Sequence, residues 1–171
     1  MKETIKANEF NNRTRSDIGS RIDDIISHGL PWIVAIDRGN YSKNRQYVNE
    51  KVVGFTSIDD YCDEGSMYRF TFEMEMYVDP TYLRQGISKC MLDKLLDVVD
   101  TGYRARGGYD WICRGDYLKN GCRRVVKNIN LTIPHEHGDD SEIEWLTPFL
   151  KAFGFRKSGH IHMMGYKKGK V

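Results

Sequence analysis

The sequence predicts an α+β domain built on a mostly antiparallel mixed sheet with helices packed against it, and three observations carry that expectation. From Phe70 to Val78 apolar residues alternate: Phe70, Phe72, Met74, Met76 and Val78 share one face, Thr71, Glu73, Glu75 and Tyr77 the other, which is the period of a strand. A tight turn follows, then Ile87, Met91, Leu92, Leu95, Leu96 and Val99 recur at three- and four-residue spacing, so a helix starts near Gly86 to Ser88. Two more strand-like runs, Trp32 to Ile36 and Val52 to Ile58, precede the alternating stretch, and an antiparallel meander of all three is the simplest arrangement.

The remaining elements follow in chain order. Asn8 to Thr14 is polar and reads as an extended arm. Ser16 or Asp17 is placed to cap a helix whose Ile18, Ile22, Ile25 and Ile26 form one apolar stripe, closed at His28-Gly29. Asp37 to Glu50 is a polar loop too long to set a hairpin register. Asp59 to Ser66 turns the chain back, and Asp79-Pro80 ends the third strand, because proline cannot donate to a ladder and holds its predecessor extended. Residues 101–124 form an irregular insertion: five glycines (Gly102, Gly107, Gly108, Gly115 and Gly121) break every period, with a helical turn near Asp116 to Asn120. Val125 to Ile133 is expected as a strand, Glu142 to Phe153 as a second amphipathic helix, and Phe155 to His162 with Met163 to Lys168 as a closing hairpin.

With 171 residues, 40% of them hydrophobic, residues 1–171 suit a single domain with a sizeable core. A net charge of +2 lacks the basic excess of a dedicated nucleic-acid binder, so no nucleic-acid partner is expected. Charge is segregated all the same. Lys151, Arg156, Lys157, Lys167, Lys168 and Lys170 stand without an acid among them, while Glu136, Asp139, Asp140, Glu142 and Glu144 crowd together. Cys62, Cys90, Cys113 and Cys122 lack metal-site spacing. No apolar run resembles a signal peptide or a membrane span. A cytoplasmic protein with reduced thiols and no membrane partner is the expectation, which makes the sequons at Asn12, Asn40 and Asn130 chance matches.

The turn at Arg84-Gln85-Gly86-Ile87-Ser88-Lys89 carries the chemistry. The first amides of a helix have no partner within it, and the helix dipole favours an anion beside them. Gly86 lets a ligand approach the backbone, and Arg84 and Lys89 add positive charge. Glu73 and Glu75 lie upstream on the polar face of the adjoining strand. The bland alternative for both is a solvated face with Lys or Arg partners across the strands. His135-x-His137 and His160-x-His162 each place two imidazoles on one strand face, yet without a third spaced ligand no metal site is expected.

This stretch resembles motif A of the GCN5-related N-acetyltransferases (GNAT superfamily), in which Arg/Gln-x-x-Gly-x-Gly/Ala cradles the pyrophosphate of coenzyme A. Here Leu83 stands at the first motif position and Ser88 at the last. The resemblance extends over nearly the whole chain and looks like the phosphinothricin acetyltransferase branch. Its carriers are Pro31-Trp32-Ile33-Val34-Ala35, Val52-Val53-Gly54, Glu73 with Tyr77-Val78, Phe153-Gly154-Phe155 and Gly165-Tyr166-Lys167. It implies a three-layer domain whose central sheet splays at the cofactor strand, with the family's N-terminal strand and helix apparently absent and the chain trimmed at both ends.

The resemblance further implies acetyl-CoA as co-substrate and a small-molecule primary amine, amino-acid-like, as acceptor. Arg84, Gln85, Gly86, Ile87, Ser88 and Lys89 would hold the pyrophosphate. The strand edge at Met76, Tyr77 and Val78 would bond the pantetheine arm as an added strand, with the amide of Met76 or Tyr77 facing the thioester oxygen. Glu73 is the expected general base and Glu75 the alternative. The His or Tyr that relatives often carry near the end of the last helix falls on Leu150, which moves no proton, leaving Tyr103 and Tyr166 as candidate acids. A homodimer is plausible by the same likeness. Competing readings are protein N-acetylation, to which the acidic Glu136 to Glu144 segment would draw a basic peptide, and a non-catalytic acyl-CoA-binding module.

Overall fold

The computed structural model describes residues 14–39, 50–63, 65–113, 115–135 and 141–161. The chain divides into two compact units, Gly19–Leu131 and a second formed by Met1–Ile18 with Thr132–Val171. The boundary falls inside the first helix, α1 (Arg15–Ser27).

The larger unit holds a four-stranded mixed sheet in the order β1-β2-β3-β4. Strands β1 (Trp32–Asp37), β2 (Lys51–Asp60) and β3 (Thr71–Val78) form the expected antiparallel meander, and β4 (Asn128–Asn130) joins β3 in parallel. A 3₁₀ turn at Pro80–Tyr82 leads into α2 (Ile87–Val99), the amphipathic helix predicted from its spacing. Phe72, Met74, Ile58, Met91, Leu92 and Leu95 are all buried. Sequestering each such side chain stabilises the fold by about 1.5–3 kcal/mol. Helix α2 lies close on β2: a Cβ on Gly54 would stand 2.8 Å from the Tyr77 carbonyl oxygen and 3.1 Å from Met91 Cε. The opposite face of β3 looks toward α1, whose Arg21 reaches Glu75 at 2.9 Å.

The insertion is irregular, as its glycines predict, with a turn at residues 115–120. It is nevertheless tied down. The Tyr117 hydroxyl donates to the Leu30 carbonyl at 2.8 Å and accepts from the Trp32 amide at 2.6 Å, stapling the insertion to the α1–β1 turn. Cys113 Sγ donates to the Tyr117 carbonyl, and Arg124 forks onto both Asp60 carboxylate oxygens at 3.2 and 2.9 Å.

Within the smaller unit, α3 (Ser141–Lys151) is close to the predicted second helix. It tolerates Pro148 and closes with the Gly154 amide on Lys151 and the Phe155 amide on Leu150, which satisfies two of its last carbonyls. The Phe149 and Phe153 rings meet at 5.4 Å, and the His135 and His160 rings at 4.9 Å.

Several expectations are corrected. The cap of α1 is Thr14 rather than Ser16 or Asp17: its Oγ1 accepts from the Asp17 amide at 3.2 Å while Asp17 accepts from the Thr14 amide at 2.8 Å, a reciprocal box. Strand β3 begins at Thr71 because Phe70 belongs to the preceding turn, its carbonyl accepting from the amides of Lys127 and Asn128. That clamp also delays β4, which runs only from Asn128 to Asn130 instead of Val125 to Ile133. Phe155 to Ile161 forms no strand. The N-terminal arm up to Arg13, residues 40–49 of the polar loop, residues 136–140 of the acidic run, His137, His162 and the hairpin's second arm with Tyr166 lie outside the described residues.

Candidate active site

The pairing of β3 defines the site. Its register with β4 covers Thr71↔Asn128, Phe72↔Ile129 and Glu73↔Asn130 and stops there, while β3 continues to Val78. From Met74 to Val78 no strand covers that edge among the described residues. Two hydrogen bonds set which backbone groups face it. The Tyr61 amide donates to Thr71 O and the Asp79 amide to Val53 O, so Thr71, Glu73, Glu75, Tyr77 and Asp79 turn their polar groups toward β2. Met74, Met76 and Val78 therefore present theirs to the open edge. Of the two amides the sequence left open, Met76 faces outward and Tyr77 inward.

Side chains sort the other way. Glu73, Glu75 and Tyr77 are registered opposite Asp59, Ser57 and Phe55 and share their face. Phe55 stacks on Trp32 at 4.9 Å and touches the Tyr77 ring at 5.2 Å, forming an aromatic wall. Glu73 occupies the last position paired with β4, at the fork where the two strands part. Glu75 is held at 2.9 Å by Arg21, which also lies 3.7 Å from Asp59, so the bland alternative describes Glu75 well. Among the described residues Ser57 Oγ is a buried hydroxyl with no hydrogen-bond partner on the same face.

The turn after β3 is braced before it reaches the helix. Asp79 accepts from the Thr81 amide at 2.9 Å and hydroxyl at 2.7 Å, and pairs with Lys51 at 3.1 Å. The Thr81 hydroxyl and amide, and then Lys51, hold the Asp79 carboxyl down at about 2. Tyr82 donates to Asp37 at 2.9 Å beneath the Lys51 ammonium. Hydrogen bonds from the Gly39 amide and Tyr82 lower the Asp37 carboxyl in turn. This frame positions Arg84 and Gly86, both left-handed at φ 63 and φ 83. Such a conformation is costly for arginine and free for glycine.

Gly86 is the N-cap of α2 and offers no side chain to its amides. The first intrahelical bond runs from the Cys90 amide to Gly86 O, so the amides of Ile87, Ser88 and Lys89 have no carbonyl of their own helix to meet. The space beside Gly86 is open: a Cβ there would meet nothing within 4 Å. Arg84, Gln85, Gly86 and Lys89 are exposed, while Ile87 and Ser88 are half-buried. This set fits a diphosphate, and the uncovered edge from Met74 to Val78 fits an extended amide-bearing arm.

Two features escaped sequence reasoning. Asp93, on α2, is 2% exposed and receives the Tyr103 hydroxyl at 2.7 Å, the Arg106 amide at 2.9 Å, the Gly107 amide at 3.1 Å and the Tyr109 hydroxyl at 2.9 Å. Burial pushes its carboxyl up, but these donors together outweigh it and the net displacement is downward. The Tyr103 hydroxyl is committed to that carboxylate: it donates its hydrogen bond to Asp93, and burial and Asp93 push its phenol up to about 12. The staple through Tyr117 is the second. The signal for the first was an aspartate set among the apolar residues of α2, followed by two tyrosines and a glycine pair. Leu150, at the end of α3, is buried. Among the described residues no group of three or more His, Cys, Asp and Glu side chains is arranged to hold a metal, and no helix is long and apolar enough to cross a membrane.

No protein-family model matches the sequence, and no curated protein matches it significantly. Solved structures do match. A GNAT superfamily phosphinothricin acetyltransferase from Sinorhizobium meliloti, in complex with AcCoA, is 20% identical with a TM-score of 0.63, over 96% of this chain and 68% of that one. A ribosomal-protein-alanine N-acetyltransferase from Brucella melitensis is 18% identical at a TM-score of 0.63, over 97% and 78%. An N-acetyltransferase from Staphylococcus aureus Mu50 is 17% identical at 0.60, over 98% and 77%. At these identities the likeness is one of fold: the chain has the α+β architecture of the GNAT acetyltransferases.

Proposed function

We propose that residues 1–171 form one acetyltransferase domain that transfers an acetyl group from acetyl-CoA to the primary amine of a small, amino-acid-like molecule. The observation that carries this reading is the ending of β3–β4 pairing at Glu73, which among the described residues leaves the edge from Met74 to Val78 uncovered beside the bare first turn of α2. The AcCoA complex of the Sinorhizobium phosphinothricin acetyltransferase supports the choice of donor. Four free cysteines suit the reducing cytoplasm, and a homodimer is our working assembly.

Bound acetyl-CoA supplies the activated acyl group as a thioester; the chain's own residues do the rest. The amides of Ile87, Ser88 and Lys89, with Gly86 giving close approach, hold the diphosphate, and Arg84 and Lys89 add charge. The outward amide and carbonyl of Val78, with the carbonyl of Met76, extend the sheet onto the pantetheine arm, and the outward Met76 amide is a preorganised donor for the acyl oxygen, a role worth roughly 3 kcal/mol on the barrier. Glu73 lies three residues, about 10 Å, before Met76, so it acts on the incoming amine rather than on the thioester. It holds the ammonium and passes its proton to water, help typically on the order of 10² to 10⁴ in rate. Glu75, ion-paired with Arg21 at 2.9 Å, is the alternative base.

A second reading, a non-catalytic acyl-CoA-binding module, is favoured by one observation: the Tyr103 hydroxyl is committed to Asp93, while a buried leucine, Leu150, stands where the family resemblance implies a His or Tyr. Calorimetric titration with acetyl-CoA followed by a thiol-release assay over an amine panel separates the two. We expect binding in the micromolar range and turnover that falls about a hundredfold in Glu73→Gln. Absence of binding removes both readings, binding without turnover leaves the module, and unchanged turnover in Glu73→Gln removes the base assignment.

A further inference from the structure

We infer that the segment from Tyr103 to Tyr109, pinned to α2 by Asp93, brings Arg104 and Arg106 to the 3′-phosphate of coenzyme A and makes the protein discriminate it from 3′-dephospho-coenzyme A. This rests on the acetyl-CoA reading and specifies which residues distinguish the donor. Asp93 follows Gly86 by seven residues, about 10 Å along the helix axis, and lies four residues after Lys89, on the same stripe. The carboxylate holds the amides of Arg106 and Gly107 at 2.9 and 3.1 Å and the hydroxyls of Tyr103 and Tyr109 at 2.7 and 2.9 Å, so the segment is tied to α2 one helical turn beyond Lys89. Gly107 and Gly108, both left-handed at φ 73 and φ 92, fold the strap back sharply.

The charges around the strap sharpen the assignment. Asp97 is paired with Lys94 at 2.6 Å, Asp100 accepts from the Gly102 amide at 2.8 Å, and Asp93 is saturated by the strap itself. Arg104 is exposed and has no ion-pair partner among the described residues; Arg106 is also exposed, its side chain lying against the Tyr103 hydroxyl. With Arg84 and Lys89 they make four exposed cationic residues on the turn, the first turn of α2 and the strap. The 3′-phosphate is a monoester carrying close to two charges, one ribose away from the diphosphate. A guanidinium fork suits it and a dephosphorylated ribose offers that fork nothing.

The test is calorimetric titration of the full chain with coenzyme A and with 3′-dephospho-coenzyme A, at low and moderate salt. The unaltered protein is expected to bind coenzyme A at least about tenfold more tightly. The exposed double substitution Arg104→Ala with Arg106→Ala is expected to bring that ratio below about twofold while leaving the dephosphorylated ligand's affinity unchanged, and Asp93→Asn, which keeps both arginines but frees the strap, to narrow it as well. Equal binding of both ligands by the unaltered protein overturns this inference alone, as does a double variant that weakens both ligands alike. Binding of neither overturns the acetyl-CoA reading and this inference with it.

Discussion

Replacing Asp93 with asparagine is expected to destabilise the protein by about 3 kcal/mol, and the figure follows from who donates to that carboxylate. Four groups converge on it: the Tyr103 and Tyr109 hydroxyls and the Arg106 and Gly107 amides. The Tyr103 hydroxyl, at Oδ1, can rotate and accept from the asparagine NH2 and loses little. The Arg106 and Gly107 amides and the Tyr109 hydroxyl all meet Oδ2 and keep an acceptor in the asparagine oxygen, but each exchanges a charge-assisted bond of roughly 1.5–3 kcal/mol for a neutral one of about 0.5–1.5 kcal/mol. A loss of about 1 kcal/mol at each of the three gives about 3 kcal/mol. A chain of 171 residues has an unfolding entropy of about 0.36 kcal/mol/K, so Tm should fall by about 8 °C. Differential scanning calorimetry reads that shift, and native-state hydrogen exchange should show the Arg106 and Gly107 amides losing protection. The sign with pH is also set. The folded-state carboxyl lies below its ordinary value, so its contribution is complete above about pH 3.9. The gap between variant and parent should shrink as pH falls below that and vanish once the lower folded-state value is passed. A Tm change under about 2 °C at neutral pH, with both amides still protected, would refute the view that this carboxylate holds the insertion in place.

Gly86→Ala should cost about 1–2 kcal/mol through the left-handed backbone alone, a Tm loss of about 3–5 °C, since its Cβ meets no neighbour. Its acetyl-CoA affinity should drop further than that strain explains, because the methyl group occupies the open space beside the amides; unchanged affinity in calorimetry contradicts the anion site. Arg84→Gly should move the two observables apart, raising Tm by about 3 °C as φ 63 is relieved while weakening acetyl-CoA binding in a salt-dependent way. A variant both less stable and unaltered in binding argues against both roles. Tyr117→Phe strands the Leu30 carbonyl and the Trp32 amide and should cost about 2 kcal/mol by chemical denaturation; a loss under about 0.5 kcal/mol shows that water replaces the hydroxyl.

Much of the site was legible because its signals are local. The alternation of Phe72, Met74 and Met76 with Glu73, Glu75 and Tyr77 sets which side chains face α2 and which face α1, whatever the strands pair with. The 3.6-residue period of Met91, Leu92 and Leu95 places the helix start at Gly86 within a residue. Where the expectation missed, a contact distant in sequence decided. Val125 to Lys127 had the pattern for a strand, yet two amides captured by Phe70 O delay β4 until Asn128, and its end at Asn130 stops the pairing with β3 at Glu73. Glu73 and Glu75 are indistinguishable on their strand until Arg21, more than fifty residues away, arrives at Glu75.

The chain alone therefore determined the order and type of its principal elements and the placing of a glycine at the start of α2, because periodicity and turn chemistry act between neighbours. Tertiary structure decided where the pairing of β3 with β4 ends, that Glu75 meets Arg21, and that the Tyr103 hydroxyl is hydrogen-bonded to Asp93. Those outcomes depend on hydrogen-bond geometry between groups brought together only when the sheet and helices close, and burial then sets the energy of each charge.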